Sequence, residues 1–253
     1  MCLLVFAIGQ STEYPLILAG NRDEFHSRPA EDANWWGDKP DIVGGRDLEA
    51  GGSWLALHRD GRFATVTNYR DAERPKPGLR SRGHLVSGFL ESAMAPLDYL
   101  EGVDGSAYAG FNLIVGDGVN VAYLSNRDGG LRELSEGVYG LSNSLLDGPW
   151  EKVERSKQGL SSLLERDAVF EKTLLELLGD REPGPADAAE AKRLGEAAAA
   201  AISAPFIVMP EYGTRCSTVV TMDDKSRWRL LERRFDAQGD AVGESRFSFS
   251  SAA

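Results

Sequence analysis

A cysteine follows the first methionine directly, in MCLLVFAI. Removal of Met1 would leave Cys2 with its thiol and a free α-amino group on the same carbon. Such an amine has a reference pKa of about 7.7–8.0, which desolvation lowers further, so it acts as a base near neutral pH. One residue then supplies both nucleophile and base, a variant of the logic known for N-terminal threonine. The alternative for Cys2 is a small apolar residue that merely opens a strand. The other cysteine, Cys216 in GTRCSTVV, reads as a buried apolar thiol.

Polar groups crowd the end of the second apolar run, in LILAGNRDEF: Asn21, Arg22, Asp23 and Glu24. If that run pairs with the first, these groups approach the N-terminus. Neighbours on a regular strand point to opposite faces, so Arg22 and Asp23 converge on one point only where the chain bends. Asn68 in TVTNYR and Asn143 in GLSNS each close an apolar run, where an amide can donate N–H groups to a developing oxyanion. Each also fits a strand-ending Asx turn. Arg215 opens a late strand and can hold a carboxylate or orient catalytic groups.

The elements that must position these residues follow from periodicity. Residues 2–8 and LILAG form a hairpin buried on both faces, and SWLALH and RFATVTNY form another across an Arg-Asp-Gly turn. The glycine pairs at 44–45 and 51–52 mark turns with positive φ. No Gly-Lys-Ser/Thr follows them, so they are not a phosphate loop. Leu85, Val86, Phe89, Leu90 and Ala93 recur at helical spacing. Strands return with FNLIVGD, NVAYLSN and GVYGLSNS. Three helical segments come next, the last being the alanine-rich PADAAEAKRLGEAAAAAIS, and RCSTVVTMD, RWRLLERRF and SRFSFS close the chain as strands. Strands, helix, strands, helices, strands is the order of an α+β layered protein without βαβ alternation. No linker divides residues 1–253, which read as a single domain.

The net charge of −11 argues against a nucleic-acid surface and against general attraction to anionic membranes. Two cysteines without a Cys-x-x-Cys pair offer neither a disulfide framework nor a structural zinc site. His26, His58 and His84 lie too far apart for a helix-borne metal pair, so neither metal nor cofactor is expected. The opening apolar run is too short for a signal peptide and no run reaches bilayer length, which makes a cytoplasmic protein without membrane insertion the expectation.

Taken together, MCLLVFA, LAGNRDEFHSRP, GGRDLEAGGSWLAL, TNYRD, SRGHLV, FNLIVGD, GLSNS followed by PWEKV, and YGTRCSTVV resemble the NRDE family, named after the tetrapeptide at 21–24 and also called the transport and Golgi organisation protein 2 family. The resemblance implies a fold of the N-terminal nucleophile hydrolases: a four-layer αββα sandwich of two antiparallel sheets between helix layers. It also implies similarity to the cysteine acylases that act on penicillin V and conjugated bile acids. Their pattern maps in order onto Cys2, Arg22, Asp23, Asn68, Asn143 and Arg215 as catalytic residues. Those acylases separate the arginine from the aspartate by two residues, whereas here they are adjacent, so Asn21 or Glu24 can substitute for one of them or contact substrate. The implied activity is hydrolysis or acyl transfer at an amide or acyl donor, through an acyl-enzyme on Cys2, with a small-molecule substrate. The alternative is a non-catalytic protein of the same fold that binds or traffics haem or lipid, as animal relatives suggest. A Cys-x-x-Cys-His haem attachment site is absent from the sequence.

Overall fold

The computed structural model describes residues 3–71 and 77–251. Cys2 lies outside the described residues. The strands of the first half are β1 (Leu3–Ile8), β2 (Leu16–Phe25), β3 (Ala30–Trp36), β4 (Lys39–Asp47), β5 (Leu55–His58) and β6 (Phe63–Asn68). Helices α1 (Gly83–Glu91) and α2 (Pro96–Glu101) follow, then β7 (Phe111–Gly116), β8 (Val121–Ser125), β9 (Arg132–Leu134) and β10 (Gly137–Leu141). Four helices come next: α3 (Glu151–Glu165), α4 (Glu171–Leu178), α5 (Ala188–Leu194) and α6 (Glu196–Ser203). The chain closes with β11 (Tyr212–Met222), β12 (Arg227–Phe235) and β13 (Ala241–Ser250).

These strands form two antiparallel sheets, ordered β10-β1-β2-β11-β12-β13 and β3-β4-β5-β6-β7-β8-β9. Period-two alternation explains why both sheets are covered twice. On β1, Leu4 and Phe6 enter the core between the sheets, while Leu3, Val5 and Ala7 pack against Val153, Leu160 and Leu174 of α3 and α4. On the other sheet, Ala56, Ala64, Leu113 and Val115 meet Leu85, Val86, Phe89 and Leu90 of α1. The result is helix, sheet, sheet, helix. Fully burying each such Leu, Val or Phe contributes about 1.5–3 kcal/mol.

Two local expectations are corrected. Gly44 and Gly45 are not turn residues but lie within β4, and only Gly51 and Gly52 have positive φ. Close approach explains the first pair: a Cβ at Gly45 would overlap the Trp54 ring, and one at Gly44 would overlap Leu55 and Ala56. The alanine-rich segment is two helices, because Gly195 between them takes φ 86° and breaks the hydrogen-bond ladder.

One buried carboxylate ties the sheets together. Glu232 of β12 is 2% exposed, and its Oε1 accepts the Ala33 N–H of β3 at 2.7 Å. The β3–β4 register shifts between Glu31 and Asn34, and Ala33 lies inside that irregularity. Burial raises the Glu232 carboxyl above its ordinary value, against the Ala33 hydrogen bond that lowers it. A carboxyl raised on folding adds stability below its unfolded pKa and loses it as pH rises through the folded one. Glu232→Gln keeps an acceptor for Ala33 and removes the titration. The Tm of this variant relative to the parent is therefore expected to rise from acid to neutral pH; a constant difference would reject the assignment.

Candidate functional site

The tetrapeptide at 21–24 ends β2 in the middle of the first sheet, and its side chains divide by face. Arg22 follows the alternation of Leu16 and Leu18, which enter the core between the sheets; Asn21 follows Ile17 and Ala19 toward the helix layer. Opposite them, the β2–β11 register runs Thr214↔Asp23 and then Cys216↔Arg22, leaving Arg215 as a bulged residue. Such a bulge bends a strand and re-aims its side chains. Here Arg22 and Asp23, adjacent and of opposite parity, both line one cleft of about 530 Å³.

Asn21 does not line that cleft. It is fully buried, its Nδ2 donates to the Leu178 and Pro205 carbonyls at 2.9 Å each, and its Oδ1 accepts from Ser217 Oγ at 2.6 Å. These bonds pin β2, β11, the end of α4 and the segment after α6. Asp23 Oδ1 accepts from Thr214 Oγ1 at 2.7 Å, and Thr214 Oγ1 in turn accepts the Ile207 N–H. Glu24 lies at the cleft edge, bonded to the Phe25 N–H and 3.9 Å from Arg28.

Arg22 is 4% exposed, with its guanidinium 4.3 Å from the centroid of Trp54 and 3.9 Å from Asp47 Oδ2. Asp47 belongs mainly to Arg28, whose Nε donates to it at 2.7 Å, and to the N–H groups of Glu49 and Ala50. Burial alone would raise the Asp47 carboxyl, but these donors outweigh it and hold the group below its ordinary value. The GGRDLEAGGSW motif thus builds a wall of the cleft. Gly52 in it has φ 74° and meets the Gly83 carbonyl so closely that a Cβ would overlap it, which sets the loop against the start of α1.

Asn68 and Asn143 are brought together. Asn68 ends β6, is half-buried and lines the cleft, with no side-chain hydrogen bond among the described residues. Asn143, two residues past β10, is 7% exposed and donates from Nδ2 to the Asn68 carbonyl at 2.9 Å. That bond fixes the orientation of an amide that carries a second N–H. The Arg70 N–H donates to the Asn143 carbonyl at 2.8 Å. Arg70 also lines a second cavity of about 610 Å³, whose walls combine Trp150, Ala199 and Ile202 with charged side chains including Lys152 and Glu154, and in which Arg70 and Glu190 pair at 3.5 Å.

Arg215 is turned toward the chain after β2. Its Nη1 donates to the Phe25 and His26 carbonyls at 3.0 and 3.1 Å, and burial, then the charge of Arg22, lowers its pKa. Cys216 is buried, which pushes its thiol well up, and Glu232 adds to the effect. Among the described residues no group of three His, Cys, Asp or Glu is placed to hold a metal ion, and no helix is long and apolar enough to cross a membrane.

Two antiparallel sheets between helix layers are the architecture of the N-terminal nucleophile hydrolase fold. Solved structures agree at the level of the fold. The Caenorhabditis elegans ortholog of N-acylethanolamine-hydrolyzing acid amidase matches with a TM-score of 0.53 and 14% identity, covering 86% of this chain and 92% of that one. A variant of conjugated bile acid hydrolase from Clostridium perfringens matches with a TM-score of 0.55 and 8% identity, covering 99% and 98%. The family model described as Transport and Golgi organisation 2 matches residues 1–237. The Bos taurus Transport and Golgi organization protein 2 homolog is 38% identical over 258 residues, 92% of either chain, and the Homo sapiens homolog 36% identical over 256 residues with the same coverage. This chain belongs to the Transport and Golgi organisation 2 family.

Proposed function

We propose that this chain is a cysteine amidohydrolase or acyltransferase acting on a small molecule, with Cys2 as its nucleophile after removal of Met1. One observation carries the reading. The β1–β2 register ends at Leu3↔Asn21 and the β1–β10 register at Leu4↔Leu141, so Arg22 is the next residue on β2, and Asn143 lies two residues past the last β10 partner, on either side of the start of β1. A guanidinium and a side-chain amide thus flank the end of the sheet at which β1 begins. In the proposed reaction Cys2 Sγ attacks the acyl carbonyl and its own α-amine takes the proton. Asn68 and Asn143 stabilise the tetrahedral oxyanion. The amine proton passes to the leaving group, a thioester remains, and water or another acceptor releases it. Asp23 orients the α-amine, and Arg215 acts on Arg22 and the turn after β2 without touching substrate. The second cavity, with Trp150, Ala199 and Ile202 in its wall, holds the acyl portion. The structural neighbours support this class because their names are those of hydrolases of N-acylethanolamines and of conjugated bile acids.

The test is intact-mass analysis with a limiting dose of a thiol alkylator and mapping of the adduct. Loss of Met1 with labelling confined to Cys2 is expected, since the buried Cys216 thiol is held protonated. A retained Met1, or equal labelling of Cys216, would remove the base or the selectivity that the mechanism needs.

A further inference from the structure

Two guanidinium groups of the cleft beside NRDE, those of Arg22 and Arg80, make no side-chain hydrogen bond among the described residues. Arg22 is 96% buried by its exposure of 4%, yet among the described residues its side chain makes no hydrogen bond; Asp47, at 3.9 Å, is too far to accept one. Trp54, stacked on Arg22 and only 6% exposed, likewise has no partner for Nε1 among the described residues. A buried polar group without a partner costs about 1–3 kcal/mol, more when it is charged, so such groups mark places completed by a ligand. Arg80, at the mouth, lies 5.5 Å from the Tyr108 ring and forms no ion pair among the described residues.

The cleft's carboxylates, in contrast, already have donors. Asp47 has Arg28 and two backbone N–H groups, Asp23 has Thr214, and Glu24 has the Phe25 N–H. Arg22, Arg28, Arg80 and Arg82 face Asp23, Glu24 and Asp47, so the cleft is cationic in a chain of net charge −11. The start of α1 closes one side, without a side-chain cap or an acidic residue in its first turn. Its N–H dipoles add to the positive field.

We infer that this cleft is an oxyanion-binding subsite that anchors a carboxylate or phosphate group of the substrate on Arg22, with Arg80 at its mouth. The inference rests on the reading of the cleft as the substrate site. A guanidinium presents a flat fork that matches either group bidentately, and the Trp54 ring beneath keeps that fork rigid.

The experiment uses calorimetric titration of the full-length Cys2→Ala chain with benzoate, phenyl phosphate and benzamide, so that binding is read without turnover. At least one anion is expected to bind tenfold or more tightly than benzamide, the order of the two anions showing whether carboxylate or phosphate is preferred. Arg22→Gln should bring that anion within about twofold of benzamide, and Arg80→Gln should weaken it several-fold without affecting benzamide. Equal affinity for benzamide and both anions, a preference that survives Arg22→Gln, or no saturation by either anion in the millimolar range would overturn the inference. If Arg22→Gln does not fold, the parent decides: the Arg22 Nε–H resonance must shift on addition of the bound anion, and a response confined to other arginines rejects the site. Loss of Cys2 chemistry would leave these titrations unchanged, so the two readings fail separately.

Discussion

Replacing Cys2 with alanine is expected to reduce turnover of a verified substrate by on the order of a thousandfold or more, with no acyl adduct detectable by mass. A nucleophile and base carried on one residue cannot be lost separately, and nucleophile deletions in acyl-transfer enzymes remove most of the rate. What remains comes from binding and from oxyanion donors. Asn143→Ala is accordingly expected to be milder, on the order of 10²–10³-fold in kcat. Full activity of Cys2→Ala would end the acyl-enzyme mechanism. It would leave haem or lipid binding on the same fold as the reading to pursue.

Asn21→Ala is expected to be the most destabilising single change in NRDE, by about 3–5 kcal/mol. Three side-chain bonds, to Leu178, Pro205 and Ser217, are lost in a position with no exposure. Each leaves a buried partner unsatisfied at about 1–3 kcal/mol. For a chain of this size that lowers Tm by roughly 10 °C or more. Glu24→Ala, at the cleft edge, should remain within about 0.5 kcal/mol of the parent. Thermal denaturation of both variants checks the contrast; equal stability would show that Asn21 is not the pin its hydrogen bonds describe.

The layered fold was legible in the sequence because the apolar alternation is strong and the helix of Leu85 to Leu90 is amphipathic. What escaped was β3 and β4. Their register shifts interrupt the alternation, and Gly44 and Gly45 read as turn residues when their role is close packing against Trp54 and β5. At the site, the tetrapeptide was visible but its division of labour was not. Whether Asn21 faces helices or cleft depends on the partner strand, and β11 lies almost two hundred residues away in sequence. The bulge at Arg215, opposite Arg22 and Asp23, has no local signature. Asp47 and Trp54 stood in a motif that carried the family resemblance, but only the fold shows that they flank Arg22. Arg70, which lines the second cavity, had no signal beyond its place two residues after Asn68.

The strand order also sets a timetable for synthesis. The first hairpin is local, but β2 gains its other neighbour only with β11, and the partners of Asn21 follow it by 157, 184 and 196 residues. At about 5–20 residues per second, the last of them leaves the ribosome roughly 10–40 s after Asn21. The central sheet therefore closes late, as the high sequence separation of its contacts requires. Asn21 thus waits for its hydrogen-bond partners until most of the chain has been made.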